Sequence, residues 1–148
     1  MKSLLALILC LVLVAFSGNA LAEEKAYVPK QDEELYGTWV NPDYNTETSP
    51  AKTLLNPDGT SLSYWKEEST LVATRGNFSI TDKWSDSAGN VWYKITYTWK
   101  MGGYSETGYE LARISNSGKT YEYVSSRAEY PKELSPKHPS YSIYHRQQ

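Results

Sequence analysis

The side chains best equipped for chemistry fall in three short runs. Tyr93, Tyr97 and Trp99 recur at even spacing along one, Tyr109, Leu111 and Arg113 along the next, and Tyr121 and Tyr123 along a third. Side chains two apart share one face of a strand. Turned inward together, these sets line a lumen with flat apolar walls, several hydroxyls and one guanidinium, which suits a small aromatic or amphipathic molecule bearing an acid group. The same rings can instead pack on each other and fill the interior, their hydroxyls bonded to backbone or water.

An acid–base site is a second arrangement to weigh. Arg113 with Glu110 or Glu122 beside Tyr97 could bind a carboxylate and move a proton. Counted by parity, however, Glu110 and Glu122 alternate with the Tyr positions and face outward, so the reading is non-enzymatic. His138 and His145 are the only histidines and have no acidic or cysteine companion at ligand spacing, whereas a metal site needs three or four converging groups. Asp82, Asp86 and Asn90 bracket a turn, but the order of a calcium loop fails, and they read as turn formers. No phosphate-cradling glycine loop or nucleophile elbow occurs. No cofactor is expected.

A third possibility is a surface for a protein or a glycan. Trp65, Trp84 and Trp92 cannot all be buried alongside the rings of opposite parity, and Trp92 shares its face with Lys94 and Lys100. Exposed indoles beside lysines suit recognition. A Trp half-covered by the Glu129 to Pro139 segment would explain the same pattern.

Positioning these groups calls for strands. Val91 to Lys100 alternates throughout, with Val91, Tyr93, Ile95, Tyr97 and Trp99 on one face, as period two requires. Lys52 to Leu55 and Thr60 to Trp65 flank Asn56-Pro57-Asp58-Gly59, a hairpin turn in which Pro pre-sets φ and Gly supplies the positive one. Leu35 to Val40 reads as the first strand. Leu71 to Arg75 and Asn77 to Trp84 read as one run broken by a bulge at Gly76. Glu106 to Ile114, Thr120 to Ser126 and Tyr141 to His145 complete the set, the last returning to pair with the first. Glu129 to Pro139 holds three prolines and cannot be a central strand. The predicted fold is all-β, an antiparallel up-and-down barrel of about eight strands, the number at which a barrel closes around side chains or one small ligand.

Composition agrees. The 148 residues carry 5 Trp and 13 Tyr, all beyond residue 22, against sixteen Leu, Ile and Val there. Rings must replace aliphatics in the core. Met1-Lys2, the apolar run Leu4 to Phe16 and Ala20-Leu21-Ala22 read as a secretory leader cleaved after Ala22; its 13 apolar residues are short of the roughly 20 a spanning helix needs. The expected organisation is a leader over 1–22, a loose polar arm over 23–34 and a barrel domain over 35–148, periplasmic or secreted and monomeric. Removing Lys2 with the leader leaves 14 basic against 17 acidic residues, net −3, which disfavours a nucleic-acid partner. The only cysteine, Cys10, lies in the leader, so no disulfide staples the mature domain.

Gly37-Thr38-Trp39 resembles the Gly-x-Trp hallmark of the first strand of lipocalins and the wider calycin group. The Asn56-Pro57-Asp58-Gly59-Thr60 hairpin and Gly76-Asn77-Phe78-Ser79-Ile80-Thr81-Asp82-Lys83-Trp84 resemble the corresponding segments of bacterial lipocalin-like domains in exported proteins. The resemblance covers Leu35 to about Ile114. It implies that Trp39 plugs the closed end of a barrel beneath a late arginine, for which Arg146 is the candidate by position and Arg127 the second. It also implies binding of a small hydrophobic molecule, while periplasmic inhibitors built on such barrels make a protein partner the alternative. No certain C-terminal helix follows, a departure from the classical members.

Overall fold

Eighteen Trp and Tyr residues distributed among turn-rich, helix-poor segments leave the chain one economical way to satisfy its backbone, which is to pair strand with strand until no edge is left. The computed structural model describes residues 26–43, 50–67, 70–101 and 103–148; the leader read over 1–22, with Cys10, lies outside the described residues. Eight strands follow in order: β1 (Gly37–Val40), β2 (Lys52–Leu55), β3 (Thr60–Glu67), β4 (Thr70–Ser85), β5 (Val91–Met101), β6 (Tyr104–Ser115), β7 (Thr120–Ser126) and β8 (Ser142–Arg146). Each pairs antiparallel with its sequence neighbours, and β8 closes on β1 through Trp39↔Arg146 and Val40↔His145. This closed up-and-down barrel is the expected class and is compatible with a lipocalin-like fold. Among the described residues no helix is long and apolar enough to cross a membrane.

The Asn56–Thr60 hairpin forms as its residues require: Gly59 has φ +81°, and Asp58 accepts hydrogen bonds from the Thr60 amide and hydroxyl at 2.9 and 2.6 Å. The bulge expected at Gly76 lies elsewhere. The register shifts between Ile80 and Asp82, and Gly76 is a regular strand residue, paired with Ser61 and Trp99. Glycine suits it for lack of space, because a Cβ there would sit 3.0 Å from Ser61 Oγ and 3.2 Å from Thr98 O. The shift at residue 81 reverses the inward parity of β4. Phe78 and Ile80 face the core before it, and Lys83 opposes inward-facing Tyr93 after it.

One end of the barrel is sealed by Trp39 and Arg146. Trp39 is fully buried and donates its indole hydrogen to Leu35 O at 2.8 Å. The Arg146 guanidinium lies 4.2 Å over the Trp39 ring and donates Nε to Gly118 O at 2.7 Å, Nη1 to Tyr36 O at 2.8 Å and Nη2 to Glu34 O. Arg127, the second candidate, is on the surface beside Glu106 instead. Of the arm read as loose over 23–34, residues 26–34 are described; most are exposed, and Glu33 is the one buried there. Leu35 and Glu33 are buried, Lys83 bridges Glu33 at 2.5 Å and Glu34 at 3.0 Å, and Tyr27 donates to Glu33.

The clamp generates two predictions. Gly37 has φ +129°, and a Cβ on it would lie 2.7 Å from Arg146 Nη1. Gly37→Ala should therefore lower stability by about 1–3 kcal/mol in urea unfolding, and by clearly less when Arg146 is also truncated to Ala, since the two effects are coupled. Burial acts to raise the pKa of Glu33, but the Lys30 amide, the Lys83 ammonium and the Tyr27 hydroxyl outweigh it and hold the carboxyl at about 2 against 4.5. Its stabilisation is complete above the unfolded value and drains away as pH falls from 4.5 towards 2. Thermal melts of Glu33→Gln should show a flatter acid limb than the parent protein.

Candidate functional site

The interior is described strand by strand from the pairing. Tyr93, Ile95, Tyr97 and Trp99 of β5 oppose Ala112, Glu110, Gly108 and Glu106 of β6. Ala112 and Ile114 then oppose Tyr123 and Tyr121 of β7, and Tyr121 and Tyr123 oppose Tyr144 and Ser142 of β8. Directly opposed residues share a face, so the inward members of β6 are the even-numbered ones.

Two expectations are corrected by this register. Tyr109 and Arg113, placed in the lumen on sequence grounds with Leu111, lie on the outer wall. Arg113 pairs with Glu122, donating Nη2 at 2.7 Å and Nε at 3.0 Å, and stacks 5.4 Å over outward-facing Trp92. Tyr109 packs edge-on against Tyr130, 5.1 Å between centroids, in the segment that follows β7. Leu111 is buried, but under that same segment. Conversely Glu110, expected to face solvent, is inside and 4% exposed. Arg113 and Glu110 therefore stand on opposite sides of the wall, and the acid–base pairing considered for them is not assembled. Glu122 faces outward as expected, although it is buried by Arg113 and by Tyr141, whose hydroxyl donates to it at 2.6 Å.

Tyr93, Tyr97, Trp99, Tyr121 and Tyr123 are inward. At the closed end the rings fill the space: Tyr121 lies 5.3 Å from Trp39, 5.4 Å from Tyr123 and 5.8 Å from Tyr144, and Tyr123 stacks on Tyr144 at 5.7 Å. Tyr93 belongs to the arm clamp, donating to Glu34 at 2.9 Å and Glu33 at 3.2 Å beneath the Lys83 ammonium. Tyr144, which sequence reading left out of the set, completes this floor and donates its hydroxyl to Pro50 O at 2.8 Å.

Towards the other end the interior loosens. Along β5, Tyr93 and Ile95 have no exposure, while Tyr97 and Trp99, further along the same inward face, are only half-buried. On nearby strands Tyr123 of β7, Ser63 of β3 and Thr74 of β4 are half-buried as well. In a closed barrel an inward side chain meets solvent only through an end, so this gradient marks a mouth at the β5–β6 hairpin. Trp99 leans across it, with two indole carbons 3.0 and 3.1 Å from where a Cβ on Gly108 would stand.

Below the mouth lies Glu110. Tyr121 donates its hydroxyl to Glu110 Oε1, and Tyr97 stands 3.4 Å from Tyr121, oxygen to oxygen. Burial pushes the Glu110 carboxyl up to about 8 from 4.5, with the Tyr121 hydrogen bond opposing it weakly. Among the described residues no ion pair reaches this carboxyl. Burial, reinforced by the nearby Glu110 charge, likewise raises the Tyr97 and Tyr121 phenols far above their ordinary value. The arrangement can hold a proton, accept or donate a hydrogen bond, and present a latent negative charge to a guest.

The outer wall has its own features. Trp84 and Trp92 stack at 6.0 Å and 8°, with Trp84 39% exposed, on a groove of about 630 Å³ shared with Lys94, Tyr130 and Leu134. The segment after β7 thus half-covers the indoles. Trp65 is half-buried near the mouth, opposite Val72, and Lys100 is exposed. Asp86 organises the β4–β5 turn, accepting from the amides of Ala88 and Asn90 and from Trp92 Nε1 at 2.9 Å. Asp82 approaches Lys94 at 3.9 Å. His138 accepts from the Ser140 amide at 3.2 Å and His145 is exposed. Among the described residues no three His, Cys, Asp or Glu converge as a metal site.

Because the neutral acid is favoured in the folded protein, Glu110 destabilises the fold increasingly as pH rises from 4.5, where the unfolded chain ionises, to about 8. Glu110→Gln should remove this slope and raise the melting temperature at pH 8 by about 5 °C or more, read by calorimetry across that range.

The chain matches no family model, curated protein or solved structure.

Proposed function

We propose that this is an exported, non-enzymatic lipocalin-like protein of the calycin type that binds a small amphipathic or aromatic molecule through the mouth of its Tyr-rich barrel. The observation that carries the reading is the burial gradient along one inward face, from unexposed Tyr93 and Ile95 to half-buried Tyr97 and Trp99. Trp39, Tyr121 and Tyr144 fill the floor, whereas the inward residues paired with Trp99 and Tyr97 include Gly76 and Gly108, which leave space beside these two rings. Flat rings with hydroxyl tips favour a guest that has an apolar body and at least one polar group. With Arg113 on the outer wall, the guest's polar group is met by Glu110, Tyr97 and Tyr121 rather than by a guanidinium. The Gly37-Trp39-Arg146 clamp supports the lipocalin-like reading, since it closes the far end and leaves one way in. Cleavage after Ala22 would deliver the domain to the periplasm or beyond as a monomer.

A second reading rests on the stacked Trp84–Trp92 pair, an exposed aromatic platform of the kind that docks a protein or glycan. The two readings separate with one probe. The neutral fluorophore N-phenylnaphthylamine should bind saturably, one per chain, in the micromolar range typical of apolar guests. Thr74→Trp, which fills the mouth from β4 beside Trp99, should abolish that signal while Trp84→Ala leaves it intact. The reverse pattern would place the site on the outer groove and sink the lumen reading.

A further inference from the structure

We infer that the guest of this interior is an organic cation, a primary amine on an aromatic or short alkyl body, held above Glu110 by the half-buried rings of Tyr97, Trp99 and Tyr123. This deepens the proposed function and rests on the mouth described there.

The charges that face inward differ between the two ends of the barrel. Among the described residues, the cations on the interior face are Lys83 and Arg146, and both are engaged at the closed end by Glu33, Glu34 and backbone carbonyls. Towards the mouth the charged described residues of that face are all carboxylates, Glu67 at the end of β3, Glu106 at the rim of β6 and Glu110 below it. Glu110 is faced by the phenols of Tyr97 from β5, Tyr121 and Tyr123 from β7 and Tyr144 from β8. The other strands present Trp39, Thr53, Leu55, Ser61, Ser63, Phe78 and Ile80, none of them charged. At the rim, Glu106 Oε2 is hidden from solvent without a hydrogen-bond partner, the exposed Arg127 guanidinium standing 3.4 Å away. A cation entering here meets one carboxylate, then aromatic faces, then a second carboxylate.

Both parts of that environment select positive charge. Ring faces attract an ammonium through their quadrupoles, more strongly once water is excluded. A carboxyl kept neutral by burial becomes a carboxylate when an ammonium arrives to pair with it, so an amine entering as R–NH₃⁺ displaces the Glu110 proton to solvent and charge balances within the site. Among the described residues an anion would face only acids there, the inward cations being engaged at the closed end. A neutral guest would gain the apolar contacts alone.

The test uses the full domain and two probe series with one body each and three head groups: phenethylamine, phenethyl alcohol and hydrocinnamate, and hexylamine, hexanol and hexanoate, titrated by calorimetry. The amines should bind about tenfold or more tighter than the alcohols near neutral pH, with the carboxylates weakest. Amine affinity should rise from about pH 6 to about pH 8, and buffers of different ionisation enthalpy should reveal close to one proton released per amine bound, with none for the alcohols. Glu110→Gln should keep alcohol binding and lose both the amine preference and the proton release. The proton count in the parent protein stands independently of how well that variant folds. Alcohols binding as tightly as amines would overturn the cation reading while leaving the lumen reading in place, whereas failure of all six probes would overturn both. Preference for the carboxylates would overturn the cation reading outright.

Discussion

The stacking of Arg146 on Trp39 is the contact on which the rest of the barrel depends. One guanidinium covers the ring at 4.2 Å and donates to carbonyls at Gly118, Tyr36 and Glu34, so the last strand, the turn before β7 and the entering arm are tied at a single point. A planar fork with several fixed donors does this where a lysine could not. The clamp also explains how a chain without a disulfide in its barrel domain closes on a first strand of only four residues. β1 contributes few ladder bonds of its own, and Trp39 and Gly37 supply what the ladder lacks.

Closure at one end dictates the distribution of charge. Lys83, turned inward by the bulge after Ile80, is neutralised by Glu33 and Glu34 and covers the Tyr93 ring. The closed end is thereby a satisfied polar network beneath a packed aromatic layer, the form in which buried charge is tolerated. Among the described residues the opposite end offers no such cation, and Glu110 stands among tyrosine hydroxyls. The same wall separates two chemistries, since on its outer side Arg113, Glu122, Trp92 and Tyr141 form a closed set of contacts that reinforces the β6–β7 pair.

Strand number, antiparallel order, the Asn56–Thr60 turn and the inward face of β5 were legible because each rests on local chemistry: period-two alternation, Pro and Gly at turn positions, and strand lengths suited to closure. The inward face of β6 was not. Both of its parities carry apolar members, Tyr109 and Leu111 on one side and Ala112 and Ile114 on the other, and a glutamate in the middle makes the wrong side look like the core. The hairpin held the missing signal. Met101 pairs with Tyr104, and that pairing propagates a register in which Ile95 must oppose Glu110.

Glu110 breaks the binary pattern of its strand and lowers stability at neutral pH, yet packing gives no reason for a carboxyl there. Tyr121 needs an acceptor for its hydroxyl, but neighbouring tyrosines meet the same need more cheaply: Tyr144 donates to the carbonyl of Pro50, and a glutamine at 110 would accept from Tyr121 without the penalty of a buried charge. Where a residue opposes the stability of its own fold and a milder substitute exists, the balance is set by what the site does. The aromatic density of the chain takes on the same meaning. At the closed end rings replace aliphatics as packing, whereas around Glu110 their faces and hydroxyls are what a charged guest would meet once water is excluded.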